Sequence, residues 1–304
     1  MKKLIIIAVL LINISIAAFS QQASIIRQYE LDLPGKSPAF YPVLNAVGDK
    51  LLYSSDAYTG LSLYDLKTNK NTIISTEAGA GYEPVFGNND SHVFYHKTSF
   101  VNNRRLDAME SFDFGKSEKK LMLSPRRNLK LVKPYRNGFL VSTDKNILKV
   151  TFGKTAKENL NYVTTEDLKI ILFNNDKLTV LNPLNVPESR YLWVSLSPDN
   201  QKILFTAAGK GTYVCDLNGK VVSKLGFLNA PVWYNDNFVV GMEDKDDGHI
   251  VISSKVVIVN IYSLQKLQIS KVSEIAMYPT ASAQGKIAYN TMTGKICLAE
   301  INIK

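Results

Sequence analysis

The chain has 304 residues, of which 45% are hydrophobic and 10% aromatic, so it can bury a full core and general disorder is excluded. Its formal net charge is +9, and Lys2 and Lys3 supply two of those charges. The other lysines are scattered, apart from basic runs at 104–105, 116–120 and 126–136. Such runs are typical of solvated loops; the alternative is attraction to anionic envelope surfaces.

The first twenty residues have the pattern of a secretory signal peptide. A basic start at Lys2 and Lys3 precedes an apolar run over 4–18, and Ala18-Phe19-Ser20 provides small residues at a cleavage site. The apolar run is shorter than the ~20 residues of a membrane span. We therefore expect an exported chain, periplasmic or extracellular, that begins at Gln21 and has no membrane span and no nucleic-acid partner. An uncleaved N-terminal anchor is the alternative.

Residues 21–304 are predicted to form one domain, which begins with a lone strand over 25–33 that Pro34-Gly35 ends. The clearest repeat is Tyr191 to Lys220, which contains three short apolar strands separated by Ser197-Pro198-Asp199-Asn200 and by a glycine turn. Proline presets φ at such a turn, and Asn or Gly tolerates its left-handed position. A small meander of this kind must stack its apolar face on another sheet.

Similar units recur along the chain. Their second strands start at Leu51, Val93, Phe139, Ile170, Ile203, Phe238 and Ile287. The mean spacing of about 39 residues is close to that of propeller blades, which is roughly 40–45 residues. The pattern predicts an all-β β-propeller with seven blades, or six if the third and fourth units form one irregular blade.

The last unit has only three strands, and the first strand of the chain has no partner in sequence. We expect residues 25–33 to pair beside 296–301 and close the ring, because an open seam would expose a strand edge. Asn161 to Leu168 is the only segment that the pattern favours as a short helix or loop.

The Ser197-Pro198-Asp199-Asn200 phrase, followed by a lysine and an apolar strand, resembles the repeat of TolB-like, or WD40-like, β-propellers. Residues 211–217 are similar to the next strand of that repeat, and 48–55 with 63–66 match it again. The resemblance implies a periplasmic or secreted propeller that binds proteins or wall-associated partners. It is specific for the fold and carries little information about function.

Five large aromatic residues recur near the starts of their units: Tyr41, Tyr82, Trp193, Trp233 and Tyr278. Flat side chains at these positions are typical of packing between blades. The functional alternative is an aromatic rim around the channel, able to stack on a sugar or a peptide. These five residues are the candidate binding site.

No catalytic, cofactor-binding or metal-ligating residues are predicted. His92 and His96 lie about 13 Å apart at ~3.3 Å per strand residue, so they do not share a metal. The acidic insertion 243–248 fails the calcium-loop spacing, because Met242 stands where the first ligand belongs. It is expected to be a solvated hairpin.

Two further residue types are expected to be structural. Asp65 and Asp216 each follow a third strand, where a carboxylate caps a turn by accepting backbone N–H groups. Cys215 and Cys297 occupy the same position in different units, too far apart for a disulfide. We expect both to be buried free thiols.

The leading hypothesis is an exported, non-catalytic propeller that binds a protein or an envelope glycan through its loop face or channel. A polysaccharide-acting hydrolase or lyase at the channel mouth is one alternative. A structural ring in an envelope complex is another. No cofactor is implied, and the pattern does not define the oligomeric state.

Overall fold

The computed structural model describes residues 21–34, 38–87, 90–135, 138–143, 147–151, 161–174, 177–186 and 189–304. All regular structure in these ranges is β-strand, arranged in seven antiparallel sheets. The predicted signal peptide, residues 1–20, lies outside the described residues. Each sheet is one blade, and the blades follow one another in chain order.

The chain opens with β1 (Ala23–Glu30), and blade one follows with β2 (Phe40–Leu44), β3 (Lys50–Ser54), β4 (Leu61–Asp65) and β5 (Lys70–Ser75). Blade two contains β6 (Val85–Phe86), β7 (His92–Val101), β8 (Arg104–Asp113) and β9 (Glu118–Arg126). Blade three contains β10 (Lys130–Tyr135), β11 (Gly138–Ser142) and β12 (Ile147–Val150). Blade four contains β13 (Asn161–Glu166), β14 (Lys169–Asn174) and β15 (Lys177–Leu181).

Blade five contains β16 (Tyr191–Leu196), β17 (Lys202–Ala207), β18 (Gly211–Asp216) and β19 (Val221–Gly226). Blade six contains β20 (Asn229–Asn235), β21 (Phe238–Asp246), β22 (Val251–Asn260) and β23 (Lys266–Gln268). Blade seven contains β24 (Ala276–Ser282), β25 (Lys286–Thr291) and β26 (Ile296–Ile303), with β1 as its outer strand. The seven-bladed prediction is confirmed, and the third and fourth units are separate sheets.

The N-terminal strand closes the ring as expected. β1 runs antiparallel to β26, with Ala23 opposite Ile303 and Glu30 opposite Cys297. The strand starts two residues before the predicted Ile25 and ends at Glu30 rather than Leu33. The first and last strands of the described chain therefore share one blade.

Each middle strand is buried on both faces, which explains why it reads as a continuous apolar run. In β17, Ile203 and Phe205 pack against blade four, whereas Leu204 packs against blade six. In β3, Leu51 faces blade seven and Leu52 faces blade two. The hydrophobic core is thus a series of layers between neighbouring blades, and the stacking supplies the burial that a single sheet lacks.

One element differs from the prediction. Residues 161–168 were expected to be a helix or loop, but Asn161–Glu166 is a strand paired with β14 throughout. Val163, Thr164 and Thr165 are consecutive β-branched residues, which favour the extended backbone. Val163 is fully buried between blades four and five.

Candidate functional site

Four innermost strands begin with the same backbone irregularity. The registers of β2, β16, β20 and β24 shift within their first residues, and each shift contains one residue with positive φ. These residues are Tyr41 (53°), Trp193 (49°), Ala230 (44°) and Tyr278 (51°). A left-handed residue inside a strand is a β-bulge, which redirects its side chain. We call the end of the ring at which these four strands begin the upper face.

Three of the five aromatic residues predicted as a rim meet on the upper face, together with Tyr58. Between ring centroids, Tyr41 lies 4.8 Å from Tyr278 and 4.1 Å from Tyr58, and Tyr58 lies 5.3 Å from Tyr82. We call Tyr278, Tyr41, Tyr58 and Tyr82 the tyrosine row. It runs from blade seven across blade one to the segment that enters blade two.

The other two aromatic residues lie apart from this row. Trp193 occupies the bulge of blade five and is 45% exposed. Trp233 is only partly exposed and packs in the layer between blades five and six, and its Nε1–H donates to Ser195 O at 3.4 Å. Trp233 therefore has the packing role between blades, whereas Trp193 is exposed to solvent.

Tyr58 was not predicted as part of the site. It lies in the turn between β3 and β4, and its N–H donates to Ser55 O at 3.2 Å. Its φ of 56° is also left-handed. The Tyr41 hydroxyl donates to Asp56 O in the same turn at 3.1 Å, which fixes the turn against the first residues of β2.

Burial raises the pKa of three tyrosines in the row, Tyr58, Tyr82 and Tyr278. It raises the pKa of Tyr82, and the nearby Glu83 carboxylate raises it further. The pKa of Tyr278 is raised by burial and then by Tyr41 and Asp244. These three phenols are therefore neutral at physiological pH and suited to aromatic and hydrogen-bonding contacts rather than to ionic chemistry.

A lysine of blade three contacts the innermost strands of the next two blades. Lys133 Nζ, from β10, donates to the backbone oxygens of Val163 at 2.6 Å and Val194 at 3.3 Å, on innermost strands of blades four and five. Burial lowers the pKa of Lys133 to about 8, against the opposing effect of Glu83. Burial likewise raises the pKa of Glu83, with Lys133 opposing it.

Two long hairpins stand above the upper face. β7 and β8 have ten residues each against five in β3, which adds roughly 15 Å at ~3.3 Å per residue. Their tip exposes Phe100 (70%) and Val101 (52%), and the tip of β21 and β22 exposes Ile250 (58%) and Ile252 (54%). Leaving apolar side chains in water at the ends of solvated hairpins costs free energy, which makes them candidates for contact with a partner.

The acidic insertion forms part of the second of these hairpins. Glu243 continues β21 and makes ion pairs with Lys255 at 3.0 Å and Lys266 at 2.6 Å. Asp246 and Asp247 cap the turn by accepting backbone N–H groups, including that of Gly248 at 2.9 Å. The solvated hairpin is confirmed, and it lengthens the strand ladder instead of forming a separate loop.

A cavity of about 500 Å³ lies between this hairpin and the segment that enters blade seven. Glu243, Lys255 and Glu274 are among its lining residues. Burial opposes ionisation of Glu243, but hydrogen bonds from Lys266 and Lys255 outweigh it and lower the pKa. A lowered pKa keeps this carboxylate ionised, whereas a general acid needs a raised one.

The remaining polar candidates are structural. Asp65 Oδ1 accepts the N–H groups of Lys67 and Thr68, and Asp216 Oδ1 accepts those of Asn218 and Lys220, so the predicted turn caps are confirmed. Among the described residues, no three His, Cys, Asp or Glu side chains lie close enough to hold a metal.

The two cysteines are free and buried, as expected. Burial raises the pKa of Cys215 to about 12 and that of Cys297 to about 11. Both thiols therefore stay protonated at neutral pH, and a protonated thiol is a poor nucleophile. In the described part of the chain, no helix is long and apolar enough to cross a membrane.

Comparison with known proteins supports the fold. No protein-family model matches the sequence, and no curated protein matches it. The β-propeller domain of Cps50 (Swd1) from Myceliophteria thermophila is similar in structure, with a TM-score of 0.59, 9% identity, and coverage of 92% of this chain and 100% of that one.

TolB from Acinetobacter baumannii is similar with a TM-score of 0.51 and 17% identity over 80% of this chain, and the match spans 57% of TolB. An oligogalacturonate lyase in complex with manganese matches with a TM-score of 0.49 and 13% identity over 87% of this chain and 78% of that one. The structural likeness to the first two proteins supports the architecture and leaves the reaction and the partner open. The chain is a seven-bladed β-propeller with the fold seen in WD40-type and TolB propellers.

Proposed function

We propose that this protein is an exported, non-catalytic binding propeller that holds a protein partner on its upper face. The observation that carries the proposal is the placement of exposed apolar side chains. Phe100, Val101, Ile250 and Ile252 cap the two longest hairpins, and both hairpins rise on the side of the ring that carries the tyrosine row.

The two raised hairpins lie on either side of the tyrosine row. The tyrosine row lies on blades seven and one, and the raised hairpins belong to their outer neighbours, blades six and two. The hairpin of blade six is tied to blade seven, since Ser254 Oγ donates to Ala276 O at 2.5 Å. A protein surface can enter between the two apolar tips and rest on the phenols without moving the scaffold.

A protein partner fits the row better than an envelope glycan does. Tyr41 and Tyr58 stack on each other with their planes 20° apart, so each ring already has one face occupied. A sugar needs an open aromatic face, and Tyr82, which is 39% exposed, is the most accessible ring of the row. Glycan binding remains the second candidate and rests on Tyr82.

An enzyme acting on polysaccharides is a weaker alternative. Glu243, a carboxylate in the lining of the 500 Å³ cavity beside the blade-six hairpin, is paired with two lysines. A structural role in an envelope complex is compatible with the same apolar tips, and it differs only in how long the partner stays bound.

The position of β1 is compatible with cleavage after Ser20, which export through a signal peptide requires. β1 starts at Ala23, three residues after Ser20, and Gln21 is already held by Asn237 Nδ2 at 2.9 Å and by Asn260 Nδ2 at 3.2 Å. Cleavage after Ser20 would therefore leave every residue of the β1–β26 pairing in place. The intact mass of the protein recovered from the cell envelope tests this cleavage.

Capture from an envelope extract tests the binding face. The mature chain, a Phe100→Ser/Ile252→Ser variant and an Ile73→Ser control are immobilised, and bound proteins are cross-linked and identified. Ile73 is 66% exposed on the outer strand of blade one. Its replacement by serine therefore removes an exposed apolar side chain away from the upper face. We expect one partner that the control retains and the double variant loses. Equal recovery by all three proteins would reject the upper face.

A further inference from the structure

The two raised hairpins end in charges of opposite sign. Residues 100–105, which end the blade-two hairpin, contain two adjacent arginines and no acidic residue. Residues 246–252, which end the blade-six hairpin, contain two adjacent aspartates and no lysine or arginine. We call these segments the basic tip and the acidic tip. Their charged residues, all exposed, are Arg104, Arg105, Asp246 and Asp247.

The opposite signs persist along the hairpins. Residues 97–107 hold three basic residues and one acidic residue, a net charge of +2, and residues 243–255 hold four acidic and two basic residues, a net charge of −2. Arg105 Nε lies 3.1 Å from Asp107 Oδ2, but the Arg105 side chain remains 54% exposed. Each raised hairpin therefore presents net charge that an oppositely charged surface can neutralise.

The acidic tip keeps its charge although it caps its own turn. Asp246 and Asp247 accept backbone N–H groups through Oδ1. Hydrogen bonds from the N–H groups of Ile250 and His249 lower the pKa of Asp247. A carboxylate that accepts such bonds stays ionised at neutral pH.

Both tips combine their charges with exposed apolar side chains. In the basic tip, Phe100 stands opposite Arg105 and Val101 opposite Arg104. Each face of this tip therefore has one apolar residue beside one basic residue. In the acidic tip, two exposed isoleucines follow the two aspartates. The tips thus match each other in apolar character and differ in the sign of their charge.

The cavity beside the blade-six hairpin matches the basic tip. Its lining includes three carboxylates and two lysines, together with Ile252 and Val272, which are 54% and 94% exposed. Asp244 belongs to this lining and accepts from Asn229 Nδ2 at 2.8 Å, an amide that carries no charge. An aromatic side chain accompanied by arginines, such as Phe100, finds both apolar and acidic groups there.

A twofold axis exchanges the positions of the two tips. The blades follow one another in chain order, so blade six adjoins blade seven and blade two adjoins blade one. Consider a twofold axis in the plane of the ring that crosses the boundary between blades seven and one. Rotation about it turns one upper face onto another and places blade two of each copy against blade six of the other. Tyr41 and Tyr278, on either side of the boundary, exchange in the same way.

We infer that the upper face binds a second copy of this chain, in a symmetric dimer in which each basic tip meets the acidic tip of the other copy. This dimer depends on the binding role proposed for the upper face and identifies the partner. A different protein would need an acidic and a basic apolar patch at the same spacing, whereas a second copy carries both. Each contact forms twice, because the interface is symmetric.

Charge reversal of either tip tests the dimer. Sedimentation equilibrium of the mature chain, over about a hundredfold range of concentration, measures its dissociation constant. Arg104→Glu/Arg105→Glu makes both tips acidic. Asp246→Lys/Asp247→Asn makes both tips basic, and asparagine retains an oxygen that can cap the turn. We expect each variant alone to dimerise about tenfold or more weakly, because like charges then meet at both contacts.

The matched control lies on the same blade at the other end of the ring. Lys119→Glu/Lys120→Glu makes the same change of charge at exposed positions of β9, and this variant should dimerise as the parent does. Raised salt should weaken the parent dimer, since the contacts are charged, and this measurement needs no substitution.

An equimolar mixture of the two reversed variants gives the sharpest result. Opposite charges meet again at both contacts of the mixed dimer, so we expect the mixture to restore dimerisation. A monomeric parent at every concentration would overturn the dimer, as would a dimer that neither reversal weakens or that the mixture does not restore. If the parent is monomeric but still loses its captured partner in the Phe100→Ser/Ile252→Ser variant, the upper face binds a different protein. The proposed function then stands without the dimer.

Discussion

Gln22 and Lys304 exchange two backbone hydrogen bonds, both 3.0 Å long, at the first rung of the ladder between β1 and β26. The ladder extends to Leu31, whose N–H donates to Ile296 O at 2.8 Å. Hydrogen bonds between the first and last strands thus hold blade seven complete. The geometry of the upper face depends on this closure, because Tyr278 belongs to blade seven and Tyr41 to blade one.

Breaking one rung of that ladder should loosen the ring. Tyr29 lies opposite Leu298, and alternation from the Leu31 rung makes it a hydrogen-bonded position. Tyr29→Pro removes the N–H and is expected to cost about 1–3 kcal/mol of the free energy of unfolding relative to Tyr29→Ala, which keeps it. Urea denaturation measures the difference. Identical urea midpoints for the two variants would show that this hydrogen bond between β1 and β26 does not contribute to stability.

Acid should weaken blade one through Asp49. Hydrogen bonding to Lys67 lowers the pKa of this carboxyl from 3.8 to about 2, and burial opposes the shift. The resulting stabilisation is present above pH 3.8 and is lost as pH falls towards 2. Solvent around the exposed Lys67 screens the pair, so it amounts to about 1 kcal/mol. The Asp49→Asn variant should be less stable than the parent at pH 6, and its free energy of unfolding should fall less than that of the parent when the pH is lowered. Parallel pH profiles for the two proteins would contradict this role.

His96 should also make the fold sensitive to acid. Its ring is 1% exposed, and neither nitrogen has a hydrogen-bond partner among the described residues. Burial lowers its pKa below 6.5, with Asp107 opposing and Arg105 adding to the shift. The unfolded chain then binds the proton more readily, so stability falls as pH drops below 6.5.

Replacing His96 with leucine removes the titrating group and the unpaired ring nitrogens. His96→Leu should therefore gain stability relative to the parent at pH 5, and gain less at pH 8. Thermal melts at the two pH values provide the comparison. A constant difference between parent and variant would mean that the imidazole has the same pKa in the folded and the unfolded chain.

The bulge of blade six offers a test of the upper-face backbone. Ala230 has a φ of 44° and precedes Pro231, although a residue before proline favours the β region. Glycine adopts positive φ without a Cβ clash, so Ala230→Gly should raise stability by up to about 1 kcal/mol. Ala281→Gly, in regular β24, is the control and should lower it. A loss in both variants would exclude the left-handed conformation at Ala230.

Much of the ring could be predicted because each blade repeats a local signal. The turn at Ser197 to Asn200 and the apolar run at Ile203 recur with variations, and stacking makes the same demands on every unit. The strand at Asn161–Glu166 was not predicted, because its polar residues drew more weight than its three consecutive β-branched residues. That β-propensity signal was present in the sequence.

The site was only half predictable, for a topological reason. Tyr41 and Tyr278 mark the same position in adjacent units, so their repetition was visible in the sequence. Tyr58 lies in a turn that belongs to no repeat motif. Strands of a meander alternate in direction, however, so the turn after the second strand returns to the end at which the first began. That rule places Tyr58 beside Tyr41 once the ring is known.

The lengths of the raised hairpins were hidden for another reason. Residues 243–248 are charged and were predicted to be a solvated hairpin, but the sequence did not show that Glu243 and Asp244 pair with Lys255 and Ser254 as part of the strand ladder. Cross-strand ion pairing supports strands that carry no apolar pattern. Composition alone did not show how far the two strands extend into such a hairpin.

Hydrogen exchange of the mature chain, alone and with its captured partner, tests the binding face most directly. We predict slower exchange at residues 96–107 and 244–254 and around Tyr41 and Tyr58, with no change at the opposite turns over 45–49 and 197–200. Protection confined to those opposite turns, with the raised hairpins unaffected, would contradict binding at the upper face.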